Sequence, residues 1–100
     1  MPHLIVSYGH PADSNAFDDY YTTNHRNLVD GIPGIVRWQA GHCTSLDGTQ
    51  PQHYLVAVLT FASLEKLQAG MASPEGQAAV ADIPNYATGG ATTTIVDDLI

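Results

Sequence analysis

Cations are scarce in this chain: three Lys and Arg stand against ten Asp and Glu, for a formal net charge of −7. Nucleic acids and anionic membrane surfaces are gripped by clustered Lys and Arg, so neither is an expected partner. Cysteine is scarcer still. Cys43 is the only one, so no internal disulfide can form, and the expected location is a reducing cytoplasm. No apolar run approaches the roughly 20 residues that span a bilayer. The opening Met1-Pro2-His3-Leu4-Ile5-Val6 carries no basic segment ahead of a long apolar one, so no signal peptide is expected. Internal repeats and low-complexity tracts are absent. One domain over residues 1–100, with one core, is the expectation.

What is present alternates strand and helix signals. His3 to Gly9 is rich in branched residues and is ended by Gly9-His10-Pro11. Leu4, Val6 and Tyr8 face one side of that strand and Ile5 the other. Asp13-Ser14-Asn15 offers caps for a helix from about Ala16 to Asp30, with Phe17, Tyr21, Leu28 and Ile32 as its apolar stripe and His25 at the margin. Gly31 is placed to end it as a C-terminal glycine, and Pro33 blocks continuation. Gly34 to Cys43 is a second strand, with Val36, Trp38, Ala40 and His42 on one face and Ile35, Arg37 and Gln39 on the other. Asp47-Gly48 and Pro51 mark a loop. His53 to Phe61 is the strongest strand signal and is apolar on both faces, which places it centrally. A helix capped by Ser63 weakens at Gly70, and Ser73-Pro74-Glu75 starts another that Pro84 ends. Thr-rich Ala91 to Asp97 is a last strand.

The order β-α-β-β-α-β, with the second helix in two pieces, predicts an α+β, ferredoxin-like split βαβ fold with helices on one face of an antiparallel sheet. The other face would keep large apolar groups, which marks it as an interface. A homodimer closing sheet against sheet is expected.

Two longer motifs carry a resemblance. Tyr20-Tyr21-x-x-x-His25-x-x-Leu28 followed by Pro33-Gly34, and the run from Ser73-Pro74-Glu75-Gly76 to Asp82-Ile83-Pro84-Asn85-Tyr86-Ala87-Thr88-Gly89-Gly90, resemble the EthD family, named for ethyl tert-butyl ether degradation. Leu59-Thr60-Phe61-x-Ser63-Leu64-Glu65 extends the match over nearly the whole chain. One departure is Arg26-Asn27, where the family often has proline between the histidine and the leucine. The resemblance implies a dimeric α+β barrel, an architecture shared by polyketide cyclases, muconolactone isomerase and cofactor-free monooxygenases of phenolic substrates.

His25 is the leading acid–base candidate, since an imidazole with a pKa of about 6.5 suits proton transfer near neutrality. Set against that is a histidine merely hydrogen-bonded within the core. Tyr21 is expected beside it, either donating to a substrate oxygen or packing. Trp38, His42, Asp82 and Tyr86 are the expected ligand-binding side chains, whereas Asn85 is expected to satisfy its own turn. Tyr20 lies on another flank of the helix and is a weaker candidate. His3, His10, His42 and His53 lack metal-ligand spacing, so no metal is expected. Haem is disfavoured by the few cations available for its carboxylates, and no cofactor is expected. Gly89-Gly90 lacks the lysine and following helix of a phosphate loop. Together these readings predict either a small cofactor-independent enzyme acting on an apolar small molecule by cyclisation, isomerisation or oxygenation, or a non-catalytic binding or accessory subunit of an ether or xenobiotic degradation system.

Overall fold

The computed structural model describes residues 1–100. Four strands form one antiparallel sheet in the order β2-β3-β1-β4: β1 (Pro2–Tyr8), β2 (Ile35–His42), β3 (Leu55–Phe61) and β4 (Ala91–Asp97). Between β1 and β2 run α1 (Ser14–Tyr20), a π-helical turn (Tyr21–His25) and α2 (Arg26–Asp30), end to end as one rod. Between β3 and β4 come α3 (Leu64–Ala72), α4 (Pro74–Asp82) and a 3₁₀ turn (Ile83–Asn85). This is the expected split βαβ arrangement. No helix is long and apolar enough to cross a membrane.

The caps are those the side chains predict. Asp13 accepts from the Ala16 amide, Ser63 from Lys66, and Ser73 from Gly76. Ser73 serves two helices, because its hydroxyl also donates to the Gly70 carbonyl at the end of α3. Gly70 is more than a weak helix former: a Cβ there would stand 2.5 Å from the Pro33 carbonyl oxygen and 3.0 Å from the Phe61 ring. Its missing side chain lets α3 lie against the β2 entry and the sheet.

The first helix departs from the expected stripe. The Arg26 amide reaches back five residues to the Tyr21 carbonyl, which makes one wide π turn. That turn takes in one extra residue. His25 and Val29 therefore occupy the buried places that residues 24 and 28 would hold in an unbroken α-helix. Leu28 is only half-buried, while Val29 is 4% and His25 3% exposed. The C-terminal glycine also differs: Gly31 keeps a right-handed helical conformation, with φ −82°, and the left-handed turn falls to Gly34, with φ +87°.

In β2 the expected faces are corrected by a bulge. Ile35 pairs with Phe61 but Arg37 pairs with Thr60, so Val36 is the extra residue. The bulge puts Ile35 on the same side as Trp38, Ala40 and His42, towards the helices. Leu4, Val6 and Tyr8 of β1 and Leu55, Ala57, Leu59 and Phe61 of β3 are buried beneath those helices. The open face carries Ile5, Val56, Val58 and Val96, with Arg37, Gln39, Thr92 and Thr94 at its flanks.

Candidate functional site

His25 faces inward from the π turn, and its two nitrogens have different neighbours. Nδ1 lies 3.0 Å from Oδ2 of Asp82, at the end of α4. The same carboxylate accepts from the Tyr20 hydroxyl at 2.6 Å and from Asn85 Nδ2 at 2.9 Å, both on Oδ1. Burial opposes ionisation of Asp82, but its donors Tyr20, Asn85 and His25 outweigh it and hold the carboxyl below its ordinary range. An ionised carboxylate has no hydrogen to give, so the proton of the pair sits on His25 Nδ1. Nε2 is left with the lone pair. It has no protein partner, and no side-chain polar atom in the protein is both sealed from solvent and unbonded, so Nε2 meets open volume.

That volume is a cavity of about 250 Å³ between the helices and the sheet. Its walls are apolar: Leu4 and Val6 from β1, Ala57 and Leu59 from β3, and Val29 and Met71 from the helices, with Tyr8, Tyr21 and His25 at one end. Ala79 and Val80 line it from α4, where small side chains leave room. Val80 and Thr93 are exposed, so the mouth opens between α4 and β4. Burial is the larger influence on His25 and holds the imidazole below its ordinary value, although Asp82 pulls the other way. His25 is therefore neutral near pH 7 and ready to accept a proton at Nε2.

Aromatic rings surround this pair. His25 stacks obliquely on Tyr86, with centroids 4.8 Å apart, and on Tyr21 at 5.2 Å. Tyr20 stacks on the other side of Tyr86 at 5.5 Å. Tyr86 is buried and its hydroxyl bonds to that of Tyr8 at 2.6 Å.

The expected site residues are divided by the fold. Tyr21, His25, Asp82 and Tyr86 come together, with Asp82 and Tyr86 behind His25 rather than in the cavity wall. Trp38 and His42 line a different hollow, an open groove of about 480 Å³ between β2 and the first helix. Although that groove is larger, several of its polar groups are already paired, Arg26 being an exception. Trp38 Nε1 donates to Asp30 at 2.9 Å, and Asp18 holds His42 Nε2 at 2.9 Å and the Tyr54 hydroxyl at 2.7 Å. Tyr21 forms part of the wall of both. The other histidines are scattered: His3 lies between Thr60 and Asp98, and His10 meets the Pro51 carbonyl.

Sequence reasoning undervalued Tyr20 and Asn85. Asn85 reaches the Asp82 side chain rather than only its own turn, and Tyr20 is the shortest donor to that carboxylate. A signal existed in Asp82-x-x-Asn85, whose spacing of three at a helix end brings the two side chains together. None existed for Tyr20, which is 62 residues from Asp82 in the chain.

Comparison with known proteins gives the site its context. A model of the EthD domain matches residues 10–90. An 11.0 kDa protein of the thcB-thcC intergenic region of Rhodococcus erythropolis is 45% identical over 98 residues, covering 98% of this chain and 95% of the relative. The crystal structure of an EthD family protein from Bacillus halodurans superposes with a TM-score of 0.92 at 28% identity, over 99% of each chain. A dimeric ferredoxin-like protein from Jannaschia sp. matches with a TM-score of 0.74 over 97% of this chain and 98% of its own, and at 16% identity it shows the fold alone. The residues of the His25–Asp82 pair both fall inside the matched span, and the chain belongs to the EthD family.

Proposed function

We propose that the protein binds a neutral, apolar small molecule in the cavity beneath His25, and that His25 Nε2 moves a proton on it. The observation that supports this reading best is the asymmetry of the imidazole. Nδ1 is tied to Asp82, whereas Nε2 has no protein partner and adjoins apolar volume. A histidine that only held the core together would have both nitrogens bonded to protein groups. The walls carry no Lys or Arg, so a permanently charged carboxylate or phosphate would be desolvated there without compensation. The substrate class is aromatic or polyketide-like, and the reaction is a cyclisation, isomerisation or oxygenation run without a cofactor.

The working form is a homodimer closed through the open sheet face. Support comes from the half-buried Ile5, Val56 and Val58 and the exposed Val96, which a monomer leaves against water. Fold neighbours from Jannaschia sp. and Thermobifida fusca are dimeric ferredoxin-like proteins.

Soaking and binding screens with one- and two-ring phenols and ketones, followed by turnover assays on His25→Ala, test the reading. The expected outcome is a folded variant that has lost turnover. Turnover that persists per folded molecule would remove His25 from the chemistry. Ligand binding without any turnover, in wild type and variant alike, would leave a binding or accessory subunit.

A further inference from the structure

In the sequence Tyr8 is an ordinary aromatic of a β-strand. In the fold it is 1% exposed and lines the same cavity as His25. Its ring packs 5.7 Å from Tyr21 and 5.6 Å from Tyr86, the same two rings on which His25 rests. Tyr8 and His25 thus belong to one end of the cavity.

The hydroxyls of Tyr8 and Tyr86 are 2.6 Å apart, and two hydroxyls that share one hydrogen bond have one hydrogen left over. Were Tyr8 the donor, the spare hydrogen would be on Tyr86, which lies outside the cavity wall and has no second partner. Leaving a buried donor unbonded is costly, about 1–3 kcal/mol. With Tyr86 as donor, the spare hydrogen sits on Tyr8, whose ring forms part of the wall. Burial pushes both phenols up. The Tyr86 hydroxyl, and after it the neighbouring Tyr21 hydroxyl, ease Tyr8 back, and the same contacts raise Tyr86 and Tyr21, so both neighbours act towards Tyr8 as donors and its own hydrogen is the one left over. Tyr8 and Tyr86 both stay protonated near neutrality.

We propose that Tyr8 is the oxyanion donor of this cavity, and that the ligand is a phenol or enolisable ketone whose oxygen gains charge as His25 removes a proton. The proposal rests on His25 as the proton acceptor. In an enolisable ketone, Nε2 takes the proton from the carbon beside the carbonyl. The C–H electron pair becomes the new C=C bond, and the carbonyl π pair moves to oxygen. That charged oxygen accepts a hydrogen bond from Tyr8, whose proton stays where it is. The imidazolium that results is held by the Asp82 carboxylate. In a phenol the proton leaves oxygen directly and the same two groups meet the same charges. No charged donor lines the cavity, so a neutral hydroxyl aimed at the developing charge is the group available to favour it. Tyr86 is a positioning residue: its bond to Tyr8 polarises the hydroxyl that points onward.

The test uses 4-nitrophenol, whose phenolate is yellow and whose acidity is close to that of imidazole, with uncharged 4-nitroanisole as its control. Wild-type protein should bind both and lower the pKa of bound 4-nitrophenol. Tyr8→Phe should weaken phenolate binding roughly 10- to 100-fold, the size of a hydrogen bond to a charged group, and leave 4-nitroanisole unchanged. Tyr86→Phe should shift the bound pKa in the same direction by less. Melting curves of both variants establish that they fold. Equal phenolate affinity in wild type and Tyr8→Phe would overturn the proposal alone. Failure of wild type to bind either probe would overturn the cavity reading and this proposal with it.

Discussion

At the residue scale, His25 and Asp82 form a buried, hydrogen-bonded pair. His25 is 3% exposed and its partner Asp82 8%, yet every hydrogen bond of the carboxylate comes from a side chain. Because burial depresses His25, its sign in pH dependence is settled. Unfolded, the imidazole takes a proton near its ordinary value of about 6.5; folded, it resists. The stability it confers is full above that value and is lost as pH falls through the lower folded one. Urea titrations from neutral to mildly acidic pH should show this loss, and His25→Gln should flatten it. The activity limb should fall in the same direction, since protonated Nε2 cannot accept. A stability profile identical in His25→Gln would show that some other group titrates. Asp82, also depressed, acts in the more acidic range of carboxylates.

At the element scale the decisive feature is the π turn. Side chains add bonds to carbonyls around it: Thr22 and Thr23 donate to the carbonyls of Asp18 and Asp19, and Asn27 donates to that of Thr23. Deleting exposed Thr23 would remove the extra residue and restore regular i to i−4 bonding. The deletion also makes His25 the residue that an unbroken helix buries, so the expected product keeps its helical circular dichroism, its His25–Asp82 contact and its ligand binding; a deletion variant that folds but loses binding would show that the wide turn itself positions His25. A second element-scale outcome concerns Ser73, which closes α3 and opens α4 with one hydroxyl. Ser73→Ala should cost about 0.5–2 kcal/mol in chemical denaturation, and Ser73→Asp, which keeps the N-cap acceptor, should cost less.

At the scale of the whole molecule the sheet is covered on one side only. Ile5 and Val58 are cross-strand partners near the middle of the open face, and Gln39 flanks them. In a monomer Val58→Asp would face water and cost little, whereas across a closed sheet–sheet interface it would bury a charge. Sedimentation at micromolar concentration should give a dimer for wild type and a folded monomer for Val58→Asp. Identical dimers in both would place the interface elsewhere.

Local signals in the sequence were enough for element order, caps and family. Strand runs, Asp13, Ser63, Ser73-Pro74 and the long motif ending in Gly89-Gly90 act through neighbours a few residues away, and the structure follows them. That His25 and Tyr21 share one helical face was legible too, because they lie four residues apart. Tertiary structure decided what each nitrogen of that histidine does. Asp82 lies 57 residues from it, and Tyr8 lies 78 from Tyr86, so no local pattern connects them. It also decided which face Ile35 takes, because a single extra residue at Val36 changes how the residues before it line up with the rest of the strand. The π turn belongs to the same class. In isolation its sequence has no evident reason to widen, but packing Phe17, Tyr21, His25 and Val29 under one sheet, four residues apart each time, asks for a longer turn than an α-helix provides.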